Sequence, residues 1–389
     1  MNTDTTRNAN LTDLLALLKE QTVRKLDVVA PAATLHAEGG LLRVEGTQPT
    51  FTDDGLTIGD GMYRPTEVFH EGVANKLGVP VGYLKRLRVQ RPDLYDANVN
   101  GWLHGHKGDE AHSIPAASAD KRSFFVRTFQ GDSGGVGVAR ALMSDRYSVI
   151  DNTDVLMATM AGINEAGVAC DIDGADVTDR RMYVRVRCES VSALAPELLR
   201  GYRSPFGGGD GTENPTVFAG FVVSNSEVGN GSFSITPRLI VQVCSNGMTI
   251  NKDAMRAVHV GAKLDEGIRW SAKTQDKALE LIKLRTADAV KTFLDVEYMR
   301  GVIAKLTEDA TVEVPAGSAA KVVETVSRSL MFTQEQQDGI LEHFIRGGQL
   351  TAGGVMHAVT SYAQTVDDAD VSADLEGAGL KALALAAGR

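Results

Sequence analysis

Between residues 11 and 29 the apolar positions Leu11, Leu14, Leu15, Leu17, Leu18, Val23 and Leu26 recur at helical spacing, and Pro31 is placed to stop that helix. The ten residues before it are polar and are expected to be disordered. Residues 39–63 read as short strands joined by Gly turns, as in LLRVEG and LTIGDG. A second helix is expected from Pro65, a residue suited to a first helical turn, to Leu77, with Gly78 at the position after its end. Pro80 opens another helix, VPVGYLKRLRVQ, and DLYDANVNGWLHG reads as a further one, followed by a loop over 104–121.

The pattern then changes to period two. Strands are expected at 123–129, 136–142, 167–173 and 181–190, with longer ones at 216–228 and 231–246; a helix at 154–167 interrupts them, with Asn152 or Thr153 as its cap. Alternation is cleanest from Met182 to Cys188, where Arg185 and Arg187 share one face and Val184, Val186 and Cys188 the other. The Gly-rich stretch 202–215 is long for a hairpin connection and is therefore either mobile or functional. Helical spacing returns from 272 to 309, as one long helix or two in series, and again at 333–346 and 352–365; the last residues are small and specify little. The expected fold is α+β: an antiparallel or mixed sheet with flanking helices, followed by a helical C-terminal region. The expected units are an N-terminal helical and mixed region over 1–120, a central β-rich domain over 121–260 and the helical region over 261–389.

A hydrophobic content of 43% and a charged content of 23% are enough for a buried core. The three cysteines, Cys170, Cys188 and Cys244, give an odd count without zinc-ribbon spacing, so a reducing, cytoplasmic setting is expected and a disulfide framework is not. The start MNTDTTRNANLTD lacks the basic and apolar segments of a signal peptide, and no run of about 18 apolar residues is present, so neither a leader nor a membrane partner is expected. Net charge is −10. Residues 1–120 hold 12 basic and 16 acidic side chains, 121–256 hold 14 and 15, and 257–389 hold 14 and 19. A nearly neutral middle lies between acidic flanks, which weighs against a general nucleic-acid coat and leaves room for a local basic groove.

Few motifs carry chemistry. The run Gly134-Gly-Val-Gly137-Val-Ala-Arg140 lacks the later Gly and the strand-before, helix-after setting of a dinucleotide site, and reads as a strand entered through a Gly turn. His104, His106 and His112, with Asp109 and Glu110, gather metal-ligand types in one loop. Asp171, Asp173 and Asp176 resemble a calcium loop, but the sixth and twelfth places hold Asp176 and Met182 where Gly and Glu are needed, which leaves a carboxylate cluster at a hairpin tip. No cofactor is expected beyond a divalent metal at one of these two places. No nucleophile elbow exists, and Cys244 reads as a strand cysteine. The basic side chains are the most suggestive. Lys85, Arg86, Arg88 and Arg91 form one group, and Arg122, Arg127, Arg140, Arg146, Arg185, Arg187 and Arg238 lie on or beside expected strands, among Phe125, Tyr147, Tyr183 and Phe233. Arginines beside aromatics on a sheet can follow a phosphate backbone and stack bases.

The run Ala139-Arg-Ala-Leu-Met-Ser-Asp-Arg-Tyr147-Ser-Val-Ile-Asp-Asn152 resembles the arginine–tyrosine then asparagine block of the phage- and plasmid-borne family known as domain of unknown function nine-three-two. So do Val223-Ser-Asn-Ser-Glu to Arg238, Val243-Cys-Ser-Asn246-Gly-Met248, and the upstream Leu77-Gly-Val-Pro80-Val-Gly-Tyr83-Leu-Lys-Arg86. The resemblance covers about residues 65–260. Where many members carry Ser-His-Asp after the first of these strands, this chain has Asn225-Ser226-Glu227. The resemblance implies a mobile-element setting in a bacterial cytoplasm and, by analogy of pattern, a likeness to phage single-strand annealing proteins. The expected function is a non-enzymatic binder of single-stranded nucleic acid in recombination or replication, compatible with a homo-oligomer. Arg127, Arg146, Arg185, Arg187 and Arg238 are expected on phosphates, and Tyr147 or Tyr183 on bases. The alternatives are an acidic partner of a host protein, as in anti-defence, and a metal-dependent hydrolase.

Overall fold

The computed structural model describes residues 4–257, apart from 49, 53–54, 58, 109–114, 146, 148–149, 208 and 245–246, together with residues 272–389. The chain enters as β1 (Thr6–Ala9), which joins a sheet edge instead of remaining disordered. In α1 (Leu11–Arg24) the Asn10 side chain accepts a hydrogen bond from the Asp13 amide, which caps the helix, and Leu14 and Leu18 are buried. The helix stops well before Pro31. From Lys25 the alternation Leu26, Val28, Ala30 takes over and makes β2 (Lys25–Pro31), in which these three side chains are buried and Val29 faces outward. Period two with paired β-branched residues outweighs the longer helical count there.

β2 belongs to a mixed sheet. Its members among the described residues are β3 (Leu35–Glu38), β4 (Leu41–Val44), β7 (Gly61–Pro65), β8 (Ser123–Phe129) and β9 (Gly137–Ser144), ordered β2-β8-β9-β7-β4-β3, with β7 and β9 parallel. β5 (Thr50–Thr52) and β6 (Gly55–Thr57) pair with each other. Because β2 pairs with β8 along their whole length, the expected boundary at residue 120 runs through this sheet. Helices α2 (Glu67–Leu77), α3 (Val81–Gln90) and α4 (Pro92–His104) cover one face around Phe69, Leu84, Tyr95, Phe124 and Val126. α2 lies so close to β9 that a Cβ at Gly72 would sit 2.4 Å from the Leu142 carbonyl oxygen. Gly72→Ala is expected to cost about 1–3 kcal/mol through this backbone clash, read as a lower urea midpoint; an unchanged midpoint would contradict the close approach.

The second sheet is antiparallel. β10 (Asp171–Val177), β11 (Met182–Leu194), β12 (Thr216–Asn225), β13 (Phe233–Val241) and β14 (Gly247–Thr249) follow β1 in spatial order, and β15 (Met255–Ala257) pairs with β13. Its inner face carries Val184, Val186, Cys188, Phe221, Val223, Ile235 and Leu239 into a core with α1, α5 (Asn152–Ala166) and α6 (Ala272–Phe293). The C-terminal helices α7 (Val296–Ala310), α8 (Ala319–Ser329), α9 (Gln334–Gly347), α10 (Ala352–Ala363) and α11 (Ala369–Ala386) follow, with their own core at Val326, Phe344, Val355, Val359 and Leu375. The small residues near the C-terminus have a use: a Cβ at Gly379 would lie 2.7 Å from Thr360 Cγ2, so they let α11 press against α10. The α+β expectation with a helical C-terminal region is met. Among the described residues no helix is long and apolar enough to cross a membrane.

Of the histidines buried among the described residues, His70 and His357 are sealed most fully. His70 lies edge-on to Tyr95, and His357 stacks on Tyr202 at 4.4 Å. Burial lowers both imidazoles to about 4. The unfolded chain takes up these protons near pH 6.5 and the folded chain does not. Their contribution is therefore whole above pH 6.5 and is lost as the pH falls toward 4, by about 3 kcal/mol for each group. Urea unfolding at pH 7 and pH 5 is expected to show the larger part of this loss, and to show less of it in His70→Leu; equal losses in the two proteins would contradict the buried neutral imidazole.

Candidate functional site

The outer face of the antiparallel sheet carries Tyr183, Arg185 and Arg187 on β11 and Arg238 on β13, which Gly220 separates from Arg187 in the register. Sequence alternation predicts that Arg185 and Arg187 share a face. It does not predict what fills it. Arg185 reaches Asp176 at 2.5 Å and Asn8 Oδ1 at 2.7 Å, while Arg7 reaches the same Asp176 oxygen at 2.7 Å. Burial alone would raise the Asp176 carboxyl, but Arg185, Arg7 and the Asn8 amide outweigh it and hold it below its ordinary value. Arg238 is 3% exposed and donates to Glu376 on α11 at 2.9 Å, with Asp173 at 3.6 Å. Arg187 faces Glu189 at 3.3 Å and Asp173 at 3.7 Å. Tyr183 donates its hydroxyl proton to Asp370 at 2.8 Å and is buried, with its pKa raised mainly by that burial.

These interactions change the expected binding set. Arg185 and Arg238 are held by carboxylates of this chain, and Tyr183 offers no open ring to a base. Asp171, Asp173 and Asp176 lie within β10 and not at a hairpin tip, and Asp173 and Asp176 face arginines. Of the histidine group, His104 stacks on His36 at 4.6 Å, and His106 Nδ1 lies 3.3 Å from the Lys107 carbonyl. His112, Asp109 and Glu110 lie outside the described residues. Among the described residues no group of three or more His, Cys, Asp or Glu side chains is placed to hold a metal ion.

Arg127 is in the other sheet and is fully buried. Its guanidinium donates to Asp27 at 3.1 Å, to Asp151 at 2.7 Å and to the Glu227 carbonyl at 3.0 Å. Arg140 donates to Glu227 Oε2 at 2.8 Å, the Asn152 amide at the start of α5 donates to Glu227 Oε1 at 2.6 Å, and Lys25 pairs with Asp151. Burial wins at Asp27 and raises its carboxyl, whereas at Asp151 burial is outweighed by Arg127 and Lys25, and the carboxyl is held low. Three cations thus meet three carboxylates where the two sheets join. Asn225 donates to the Ile150 carbonyl at 3.0 Å, and the Ser226 hydroxyl to the Arg180 carbonyl at 2.8 Å. Asn225-Ser226-Glu227 is therefore a structural clasp between sheets and helix. Arg146 lies outside the described residues, and Tyr147 packs beside Met143 and Val228.

An open groove remains between the outer sheet face and α11, with a volume of about 650 Å³. Its floor is a row of hydroxyls, Ser224, Ser234, Thr236 and Thr249, and the buried Thr249 Oγ1 has no hydrogen-bond partner among the described residues. Its lining carries the cations Arg181, Lys252, Arg256 and Lys381 against the carboxylates of Asp374 and Glu376. Glu376 is already bound to Arg238, and burial pushes the Asp374 carboxyl up, with Arg181 opposing the rise. Lys252, Arg256 and Lys381 are exposed, and none makes an ion pair among the described residues. Sequence reasoning misses all four cations, because they come from the β10–β11 turn, the segment after β14, β15 and α11. The turn dipeptide Arg180-Arg181 is the one visible signal. Comparison of the chain with protein-family models, with curated proteins and with solved structures finds no match.

Proposed function

We propose that this protein binds single-stranded nucleic acid by its backbone, without catalysis, in the groove between the outer face of the antiparallel sheet and α11. The observation that carries this is charge placement. In a chain of net charge −10, the groove lining holds four cations and two carboxylates, one of them already neutralised by Arg238. Arg181, Lys252, Arg256 and Lys381 would meet phosphates, and the Ser and Thr hydroxyls would hydrogen-bond phosphate or sugar oxygens. With Tyr183 sealed, base stacking contributes little, so weak sequence preference follows. The acidic remainder of the surface disfavours a duplex, which carries one charge per about 1.7 Å of axis, more than it disfavours a single strand. The mobile-element cytoplasm implied by the motif resemblance fits this reading.

Fluorescence anisotropy of a labelled oligothymidylate tests it. Saturable binding at low salt that exceeds binding to a duplex of the same length supports the groove. Absence of binding at low salt sinks the proposal and redirects attention to a protein partner, to be sought by affinity purification.

A further inference from the structure

We propose a second, independent site: a pocket for a small molecule with a flat apolar body and one anionic end, at the join between α2, β9 and the β12–β13 turn. The cavity there has a volume of about 580 Å³, within the range of about 300–1,000 Å³ usual for ligand pockets. Its floor is a small apolar cluster separate from the main cores, made of Val68, Met143 and Val228 with the Tyr147 ring against it. Val68, Ala141, Met143 and Val228 are buried and line the cavity. A thioether and an aromatic ring on one wall favour an aromatic guest.

The polar groups of the cavity set the other end of the ligand. Glu71 is taken by Arg180, which donates to both its oxygens at 2.6 and 2.7 Å. Beside it, the Lys76 ammonium has no ion pair among the described residues, and Asn230 Nδ2 is buried with no partner among them. An ammonium and an amide N–H both call for an acceptor, so the ligand presents a carboxylate, sulfonate or similar group to them. At Gly229, where φ is +82°, a Cβ would press on Met143 Sδ at 3.3 Å, so glycine there keeps the turn from narrowing the cavity.

The probe is 8-anilinonaphthalene-1-sulfonate, an aromatic body with one sulfonate, titrated into the full chain and followed by its fluorescence. One saturable site per chain is expected. Lys76→Gln, a rim change that leaves the apolar cluster alone, is expected to weaken binding about tenfold by removing the charge-assisted hydrogen bond to the sulfonate. The uncharged analogue N-phenyl-1-naphthylamine should bind wild type and Lys76→Gln equally. Val228→Trp, which fills the cavity, should abolish binding of both dyes. Absence of a saturable site overturns the proposal, and so does sulfonate binding that Lys76→Gln leaves unchanged. Should Val228→Trp fail to fold, the Lys76→Gln comparison decides alone.

Discussion

Arg127→Met is expected to destabilise the fold by about 3–5 kcal/mol. The guanidinium has no exposed surface and faces Asp27, Asp151 and the Glu227 carbonyl. Removing it leaves three carboxylates with only Lys25 and Arg140 among the described cations of the cluster. Methionine fills most of the volume, so the loss reads the orphaned charge and not a cavity. Glu227→Gln should act in the same direction, because Glu227 ties Arg140 to the first amide of α5 at 2.8 and 2.6 Å. The double variant should lose less than the sum of the two, since each removes a charge that the other leaves unmatched. Urea unfolding of the four proteins measures this. Strict additivity with losses under about 1 kcal/mol, the size of an exposed pair, would contradict the clasp.

Lys252→Glu with Arg256→Glu is expected to abolish most nucleic-acid binding while leaving the fold intact. Both side chains are exposed on the groove lining, so reversal has little to disturb. The lining changes from four cations and two carboxylates to two and four, and two phosphate attractions become repulsions. At low salt the affinity should fall at least tenfold, with the salt slope shallower by about 1.4, or about 0.7 for each single-strand phosphate that is no longer neutralised. The control is Lys305→Glu with Lys321→Glu, on α7 and α8 outside the groove lining and also exposed. It changes net charge equally and should move affinity far less. Equal losses in the two pairs would mean that net charge alone governs binding.

The strand pattern is the readable layer. Alternation in β11 puts Arg185 and Arg187 on one face, and the structure keeps them there. Their partners are not readable, because Asn8 and Asp176 arrive from β1 and β10 through pairings that no local period encodes. The same limit governs Arg127. As the one charged residue of the strand SFFVRTF it resembles a surface arginine, and only the juxtaposition of Asp27, Asp151 and Glu227, far apart in the chain, turns it into a buried clasp. Residues 25–31 mislead because Leu26 satisfies both periods. The C-terminal small residues look uninformative because their role lies in a close helix crossing, which depends on α10. The groove assembles its cations from four separate segments, so a search for basic runs favours Lys85 to Arg91 instead, where Lys85 pairs with Glu67 and Arg91 with Asp93.

Binding of a labelled single strand across a salt series tests the groove most directly. Four neutralised phosphates predict that log K falls with log salt at a slope of about −3, and that the slope shrinks in Lys252→Glu/Arg256→Glu. A slope near zero, or a steep slope that this variant leaves unchanged, would contradict nucleic-acid binding in the groove.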